Sequence, residues 1–488
     1  MNSNAFLVWT ALAALLLNGC GDGNGDPDAG DSGSMTADTG VDRDTGVEPE
    51  DSGVVTDSGV EECIDCEYVE VALGVLHTCG RQANGQVYCW GRNQESQLGD
   101  GRTRHENCAE VGSEPEDCTG IPSATRYDSG SGRPLLDDAE LLSIRGFGGS
   151  CAVRPGGELW CWGRETIPDV IGGIPDIREV AERDFPTIDG ITSIAVGDGH
   201  LCYAAGATNA AFCAGNGARG QLGHGSRPEI EITPVQVLTP DGTGQITGVE
   251  EIVTSGFSFS CARTADEVYC WGRNQRGQLG DVDDMGRPVA HDTCVVDTTE
   301  MWDCSDTPVV VGGVSPLGAT SDLDLGSQHV CAVQGTGGPG QVVCWGENRG
   351  RQAGQADADN VPAPTAVAGV DDAVMIATGS NHSCALRDDG TVACWGLNRD
   401  GQLGDGLESH GTNCMLDSEN VDCSATPVTV SGIDDATFIA ARASFTCVTR
   451  GGDGSVWCWG NNNNKQLGDG SRMNRFEPVM VMGTSTAP

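Results

Sequence analysis

A pair of cysteines 9 to 13 residues apart recurs seven times along this 488-residue chain. The pairs are Cys79 with Cys89, Cys151 with Cys161, Cys202 with Cys213, Cys261 with Cys270, Cys331 with Cys344, Cys384 with Cys394 and Cys447 with Cys458. Trp-Gly follows the second cysteine in six copies, at Trp90, Trp162, Trp271, Trp345, Trp395 and Trp459, whereas the third copy has Ala214-Gly215. A period of roughly 50 residues indicates one small unit whose copies stack to bury a core.

The clearest copy, residues 379–406, shows what each unit contains. Asp388-Asp389-Gly390 is typical of a tight turn between two short strands, and such a turn places Cys384 opposite Cys394. Turn residues then surround one apolar side chain in Gly-Gln-Leu-Gly, and a Pro-Val strand follows in several copies. Four short strands in each of seven copies predict an all-β, seven-bladed propeller with a disulfide inside each blade.

These motifs resemble the regulator of chromosome condensation repeats. The resemblance rests on Gly-x-x-His-x-Cys-Ala-Leu, the Asp-Gly turn, Cys-Trp-Gly-x-Asn and Gly-Gln-Leu-Gly-Asp-Gly, and it covers residues 68–483. It implies a seven-bladed β-propeller. The second copy departs by lacking Gln-Leu-Gly after Trp162-Gly163, and the fifth has Gln352-Ala-Gly. We further expect the terminal strand at 478–481 to complete the blade that begins near Tyr68.

Of the other nine of the 23 cysteines, eight form four further predicted pairs and the ninth is Cys20 near the N-terminus. Three pairs lie in insertions, namely Cys108 with Cys118, Cys294 with Cys304 and Cys414 with Cys423, and Cys63 with Cys66 forms a short Cys-x-x-Cys. Isolated pairs do not resemble the four-ligand clusters of zinc sites, so we predict no metal and no cofactor. Full pairing indicates an oxidising compartment. Cys63-x-x-Cys66 is interpreted as a structural clip, with redox activity as the alternative.

The N-terminal region has the features of an export signal followed by a tether. Residues 6–17 form a short apolar run, and Leu17-Asn18-Gly19-Cys20 resembles a bacterial lipobox. We therefore expect a signal peptide at 1–19 and a lipid on Cys20, although a plain secreted protein is the alternative. Residues 20–62 carry nine Asp and four Glu against Arg43, which predicts a disordered acidic linker before the propeller at 63–488. Gly21 after the cysteine favours the outer membrane or cell surface.

Two classes of histidine are candidates for function. His77, His200, His329 and His382 each precede a blade cysteine by two residues. We interpret them as strand residues satisfied by a neighbouring carbonyl, with ligand binding at the axis as the alternative. His105, His291 and His410 each precede an insertion that closes at Asp-Cys, and they form, with Trp302, the candidate binding residues. Loops on a rigid scaffold often bind ligands, but these side chains could also bond only their own turns. Acidic residues fill the loops at Glu110, Glu114, Glu116, Asp297, Glu300, Asp417 and Glu419.

The net charge and the absence of common catalytic motifs argue against two classes of function, nucleic-acid binding and catalysis. A formal net charge of −44 argues against binding to nucleic acid, which needs clustered basic residues. No Gly-x-Ser-x-Gly, phosphate loop or His-Glu-x-x-His is present, so we predict a protein that is not an enzyme. The favoured hypothesis is a module that binds an unidentified protein partner through its rim loops. A propeller that binds or cleaves envelope polysaccharide is the alternative, and a purely structural surface protein is the third hypothesis.

Overall fold

The computed structural model describes residues 67–484, apart from gaps at 103, 108–115, 131, 147, 165–176, 184–187, 189, 198, 257, 296–300, 314–315 and 417–418. The predicted signal peptide, Cys20, the acidic linker, Cys63, Cys66 and Cys108 lie outside the described residues, as do Glu110, Glu114, Asp297, Glu300 and Asp417. The boundaries at 1–19, 20–62 and 63–488 therefore stay predictions. Among the described residues, no helix has both the length and the apolar character needed to cross a bilayer.

Seven antiparallel sheets follow one another along the chain, and each is one blade. Blade 1 contains β1 (Tyr68–Leu73), β2 (His77–Gln82), β3 (Val87–Arg92), β4 (Glu106–Asn107) and β5 (Asp117–Ala124); blade 2 contains β6 (Leu141–Arg145), β7 (Gly149–Arg154), β8 (Glu158–Arg164) and β9 (Ile177–Arg183). Blade 3 contains β10 (Ile191–Val196), β11 (His200–Ala205), β12 (Ala210–Gly215) and β13 (Glu231–Gln236); blade 4 contains β14 (Val249–Thr254), β15 (Phe259–Thr264), β16 (Val268–Arg273), β17 (Asp292–Val295) and β18 (Met301–Val310).

The remaining three blades repeat this order. Blade 5 contains β19 (Thr320–Leu325), β20 (His329–Gln334), β21 (Val342–Glu347) and β22 (Asn360–Ala366). Blade 6 contains β23 (Ala373–Thr378), β24 (His382–Arg387), β25 (Val392–Leu397), β26 (Asn413–Leu416) and β27 (Glu419–Thr429). Blade 7 contains β28 (Ala436–Arg442), β29 (Phe445–Arg450), β30 (Val456–Gly460) and β31 (Arg475–Met480). The predicted all-β, seven-bladed propeller is confirmed.

Each of the seven predicted cysteine pairs of the blades is disulfide-bonded, with its two members directly opposite each other on the second and third strands. Their Cα atoms are 4.0–4.1 Å apart, close to the spacing of opposed residues that share no backbone hydrogen bond. In blade order the bonds join Cys79 to Cys89, Cys151 to Cys161, Cys202 to Cys213, Cys261 to Cys270, Cys331 to Cys344, Cys384 to Cys394 and Cys447 to Cys458.

The turn beside these cysteines has the expected chemistry, as blade 6 shows. Gly390 adopts φ 81°, a left-handed conformation that favours glycine. The side chain of Asp389 accepts a hydrogen bond from the N–H of Thr391 over 2.9 Å. Pairing of the second and third strands therefore follows from the turn residues that join them.

The first strand of each blade contacts the first strand of the next, and β28 contacts β1, so these seven strands close a ring around the axis. The expectation that the terminal strand completes the first blade is wrong. β31 pairs with β30 in blade 7, where Cys458 lies opposite Val479, while β1 pairs with β2. Each blade takes all its strands from one stretch of chain. The ends of the ring instead meet by packing and by a hydrogen bond from the N–H of Tyr68 to the carbonyl of Gly454, 3.0 Å long.

The hydrophobic core lies between blades, in seven clusters of which each joins two neighbours. The Trp and the Gln that recur in the repeats explain how the blades are joined. We call each interface between two neighbouring blades a seam. In six of the seven seams the indole N–H of the Trp donates to the main-chain carbonyl of a Gln in the preceding blade, with N···O distances of 2.8–3.0 Å. The pairs are Trp90–Gln466, Trp162–Gln97, Trp271–Gln221, Trp345–Gln278, Trp395–Gln352 and Trp459–Gln402.

The seam between blades 2 and 3 lacks both halves of this hydrogen bond. Blade 3 has Ala214 at the strand position that Trp90 occupies in blade 1, and the second copy has no Gln-Leu-Gly to supply a carbonyl. An apolar cluster fills this seam instead, including Leu201 and the stacked rings of Tyr203 and Phe212, whose centroids are 5.4 Å apart. Donor and acceptor have been lost together, so neither is left buried without its partner.

Candidate interaction surface

The insertions leave blades 1, 4 and 6 at equivalent points, between the third and fourth strands. Each adds a short outermost strand, namely β4, β17 and β26, which pairs with the fourth strand of its blade. Disulfides tie the hairpins of blades 4 and 6, with Cα distances of 5.9 Å for Cys294–Cys304 and for Cys414–Cys423. Cys118 is also disulfide-bonded, and its predicted partner Cys108 lies outside the described residues.

Each candidate histidine lies between two aspartates. In blade 1, His105 Nε2 is 2.8 Å from Asp100 Oδ2, and its Nδ1 is 3.1 Å from Asp117 Oδ2. In blade 6, His410 is 2.9 Å from Asp405 and 2.6 Å from Asp422 through the same two nitrogens. This arrangement uses both ring nitrogens. We call each set an Asp–His–Asp clamp.

The clamp of blade 4 has the same plan with slightly longer distances. His291 Nε2 is 3.1 Å from Asp281 Oδ2, and its Nδ1 is 3.7 Å from Asp303 Oδ2. The backbone N–H of His291 also donates to Asp303 Oδ1 over 2.8 Å. The side chain of His291 is only 11% exposed, so its contacts are made within the protein.

An asparagine in the Cys-Trp-Gly-x-Asn motif links each clamp to its blade. Asn274 donates from Nδ2 to Asp303 Oδ2 over 2.7 Å, and its Oδ1 accepts from the N–H of buried Leu279 over 3.0 Å. Asn93 makes the equivalent pair of contacts, to Asp117 and from Leu98. The base of the insertion is therefore bonded to the same turn that buries the leucine of Gly-Gln-Leu-Gly.

The carboxylates of the clamps favour the charged form of their histidines, because they raise the pKa of each ring. Burial opposes the charge of His291, but the hydrogen bond to Asp281 and the nearby carboxylate of Asp303 outweigh it and raise its pKa to about 9. Burial likewise opposes the charge of His105 and of His410, and carboxylates on both sides raise the pKa of each. A protonated imidazole has no lone pair for a metal. In the described part of the chain, no group of three or more His, Cys, Asp or Glu is placed to hold a metal ion.

These positions change the role that the sequence suggested for the insertion histidines. His105, His291 and His410 are held within the protein, so they position the insertions rather than present themselves to a ligand. The aspartate at the end of each insertion was evident from the sequence, whereas the second one, at Asp100, Asp281 and Asp405, was not predicted.

A signal for this second aspartate was present in the sequence. Gln-Leu-Gly-Asp occurs in four copies, and in three of them the following insertion carries the clamp histidine. In the fourth, blade 7, the aspartate is Asp469, and it binds Arg475 instead, at 2.8 Å from Nε. The aspartate therefore accompanies a cationic partner in every copy that has it.

Trp302 is half-buried between two arginines. The guanidinium carbon of Arg273 lies 3.9 Å from the centroid of the indole ring, and that of Arg219, from blade 3, lies 5.3 Å away. In blade 6 the equivalent positions are Val421, opposite Cys414, and Leu397, opposite Cys423. Two aliphatic residues therefore occupy in blade 6 the positions that Arg273 and Trp302 occupy in blade 4, where the two side chains make a cation–π interaction.

The four histidines of the blade strands join neighbouring blades. The Nε2 atoms of His77, His200, His329 and His382 lie 2.8–3.0 Å from the hydroxyls of Ser150, Ser260, Ser383 and Thr446 in the next blade. Burial lowers the pKa of His77 to about 3 and that of His200 to about 4, so these rings are neutral. They are structural residues, as the sequence suggested, but the partner is a hydroxyl.

Family models match six stretches of the chain. The description of both models is the regulator of chromosome condensation repeat, and they match residues 68–97, 252–278 and 374–402, and residues 84–127, 339–386 and 453–487. The matched ranges coincide with blades that carry Cys-Trp-Gly. Within these ranges the chain carries regulator of chromosome condensation repeats. The second and third copies, with Trp162 and Ala214, lie outside the matched ranges.

Curated proteins are similar to this chain at low identity. The E3 ubiquitin-protein ligase HERC2 of Homo sapiens is 25% identical over 374 residues, which cover 67% of this chain and 7% of the ligase. Protein pim1 of Schizosaccharomyces pombe is 25% identical over 362 residues, covering 69% of this chain and 60% of pim1. The similarity thus spans less than two thirds of either relative.

Solved propellers share the fold. Human WBSCR16 has a TM-score of 0.61 and 18% identity, with 81% of this chain and 94% of that chain covered. Prp20p of Saccharomyces cerevisiae, a protein with binding properties to Gsp1p and histones, has a TM-score of 0.54 and 19% identity, with 78% of this chain and 81% of that chain covered. At these identities the likeness establishes the architecture alone.

Proposed function

We propose that the protein is a non-catalytic binding module that contacts another protein through the insertions on its rim. The observation that carries this proposal is the Asp–His–Asp clamp, because in blades 4 and 6 it fixes the base of a disulfide-tied hairpin that the propeller itself does not need. Blades 5 and 7 form complete sheets without such hairpins. Rigid projecting loops lose little conformational entropy on binding, which favours affinity.

The character of the surface supports a protein partner more than a polysaccharide. Sugar-binding sites commonly offer an open aromatic face, whereas no aromatic side chain is among the exposed large hydrophobic residues of the described part. Both Arg273 and Arg219 lie against the indole of Trp302. A propeller of this family with binding properties to proteins, Prp20p, is consistent with the same use of the fold.

We also propose that export and a lipid on Cys20 hold the propeller in the cell envelope, at the outer membrane or cell surface. The proposal rests on the short apolar run that ends at Cys20 and on a propeller stabilised by disulfides, which persist in oxidising compartments. The acidic segment between Cys20 and the propeller would then act as the tether.

Site-specific photo-cross-linking in the envelope tests the binding proposal. A photoreactive residue is placed at exposed Thr293 or Asn420, on the hairpins of blades 4 and 6. The matched control is Asp389, in the turn between the second and third strands and hence at the opposite end of its blade. We expect one protein to be cross-linked from both hairpins and not from position 389. Labelled polysaccharide, or identical products from all three positions, would contradict the proposal.

A further inference from the structure

The most exposed large apolar side chains of the described residues all lie on one rim. Five exceed half exposure: Met285 at 65%, Met301 at 73%, Leu407 at 54%, Met415 at 59% and Met473 at 61%. All five lie between the third and fourth strands of blades 4, 6 and 7, or at the start of the fourth strand. Single exposed apolar residues are ordinary, but confinement to one type of connection, with four methionines among five residues, needs an explanation.

Blades 4 and 6 each present two of these residues, one in the turn after the third strand and one on the hairpin, although not at identical positions of the repeat. The N–H of Met285 donates to Asp283 Oδ1 over 2.9 Å, and the N–H of Leu407 donates to Asp405 Oδ1 over 3.1 Å, so each begins from an aspartate-capped turn. Met301 pairs with Val295 and Met415 with Asn420, in each case one position beyond the pair that contains a hairpin cysteine. The backbone beneath each apolar side chain is thus held, while the side chain itself extends outward.

A carboxylate accompanies each turn residue. Asp284 directly precedes Met285, and Glu408 directly follows Leu407. Both carboxylates are exposed, and the ion pairs of the described residues do not include either one. By contrast, Asp283 pairs with Arg287 over 2.6 Å. The same combination of a flexible apolar side chain and an unpaired carboxylate therefore occurs twice, on a chain whose net charge is −44.

Methionine suits a surface that must adapt to its partner, because its unbranched thioether fills irregular gaps. Carboxylates beside it select a partner of opposite charge and repel acidic ones. We propose that this rim, comprising Met285, Met301, Leu407 and Met415 with Asp284 and Glu408, receives a cationic amphipathic segment of the partner protein. The inference rests on the proposed function and specifies the chemistry of the segment that the hairpins contact.

A defined peptide tests the partner chemistry on the full exported protein. The probe is a synthetic amphipathic helix of leucine and lysine, and binding is followed through the methyl resonances of labelled methionines. We expect the resonances of Met285, Met301 and Met415 to shift and those of Met480 to stay unchanged. A peptide with glutamate in place of lysine should not bind, and one with serine in place of leucine should bind at least about tenfold more weakly.

Two sets of variants separate the rim from its surroundings. Joint replacement of Met285, Met301 and Met415 by glutamine should weaken binding of the leucine–lysine peptide at least about tenfold, because their apolar area then stays hydrated. The matched control replaces Met480 and Met482, which are 41% and 46% exposed in the last blade, and should leave the affinity unchanged. Asp284→Asn with Glu408→Gln should weaken binding about threefold to tenfold and reduce its salt dependence.

The outcomes distinguish this inference from the proposed function. Equal binding of the lysine–serine peptide, or equal loss in the rim and control variants, would overturn the inference as simple charge attraction. If cross-links from Thr293 and Asn420 still capture a protein while the leucine–lysine peptide neither binds nor competes, the hairpin interface stands and the partner chemistry is wrong. If the peptide displaces the captured protein, the two proposals are supported together.

Discussion

Replacing Asp281 by asparagine is expected to lower the pKa of His291 and to loosen the base of the blade-4 hairpin. The carboxylate of Asp281 lies 3.1 Å from His291 Nε2, and Asp303 holds the other side of the ring. Burial disfavours the charged imidazole, so these two carboxylates account for a pKa of about 9 rather than 6.5. Removing one of them should bring the pKa of His291 down by about 1 to 2, toward its ordinary value.

The clamp also makes a contribution to the free energy of unfolding that depends on pH. Because the pKa of His291 is raised on folding, the contribution is complete below about pH 6.5 and is lost as the pH rises from there through about 9. The change from 6.5 to about 9 corresponds to about 3 kcal/mol at most. Since Asp303 is 31% exposed, solvent screens part of this interaction, and about 1–2 kcal/mol is the expected contribution.

Proton NMR titration of the imidazole rings measures the pKa of His291 directly, with His291→Gln used to assign its signal. Asp284→Asn, in the same connection but outside the clamp, is the matched control and should leave the pKa of His291 within a few tenths of the wild-type value. A wild-type His291 that titrates near pH 6.5 would show that the two carboxylates do not stabilise its charged form. A pKa of His291 that Asp281→Asn does not move would show the same for Asp281.

Three further predictions concern the core of the ring. Trp271→Phe removes the indole N–H that the buried carbonyl of Gln221 accepts, and should lower the free energy of unfolding in urea by about 1–3 kcal/mol. Leu403→Ala empties a fully buried position and should cost about 2–5 kcal/mol in the same measurement, whereas Leu407→Ala, on the surface, should cost less than about 0.5 kcal/mol. Burial lowers the pKa of His382 to about 3, so its ring is neutral in the fold; its contribution is complete above about pH 6.5 and is lost as the pH falls toward 3. His382→Phe, which places there the residue found at the equivalent Phe445, should therefore reduce the loss of thermal stability between pH 6.5 and 4, and an unchanged acid profile would contradict a neutral buried ring.

Local pairing could be predicted from the sequence because it depends on residues that are close in the chain. The Asp-Gly turn and the alternation of strand residues place Cys384 opposite Cys394 without any knowledge of the other blades. Seven equivalent copies then leave a closed ring as the arrangement that buries both faces of every blade. The fold and the cysteine pairs of the blades were accordingly predictable.

Closure of the ring and the role of the insertion histidines were not predictable in the same way. Whether the terminal strand joins the first or the last blade depends on where the first repeat begins, and the Pro-Val pattern at 478–481 is the same in either case. The partner aspartates of His105 and His410 lie 5 and 12 residues away, but only the folded turn brings all three side chains together. The exposed methionines carried no signal in the sequence, since methionine is among the residues most often buried.

The Trp–Gln contacts also bear on where such a ring can be cut. Between blades 2 and 3 the chain itself runs from one blade to the next, so a covalent connection crosses the seam that lacks the contact. Between blades 7 and 1 no chain crosses, and there Trp90 donates to the carbonyl of Gln466 over 2.9 Å. In a circular permutant with the original ends joined and new ends between blades 2 and 3, the open seam would have no Trp–Gln contact. It would be held by side-chain packing and by hydrogen bonds such as those from the N–H of Val196 to Ser143 Oγ and from the N–H of Ile191 to the carbonyl of Gly157. The seven seams are therefore not equivalent places to open the ring, even though the seven blades are arranged in a closed circle.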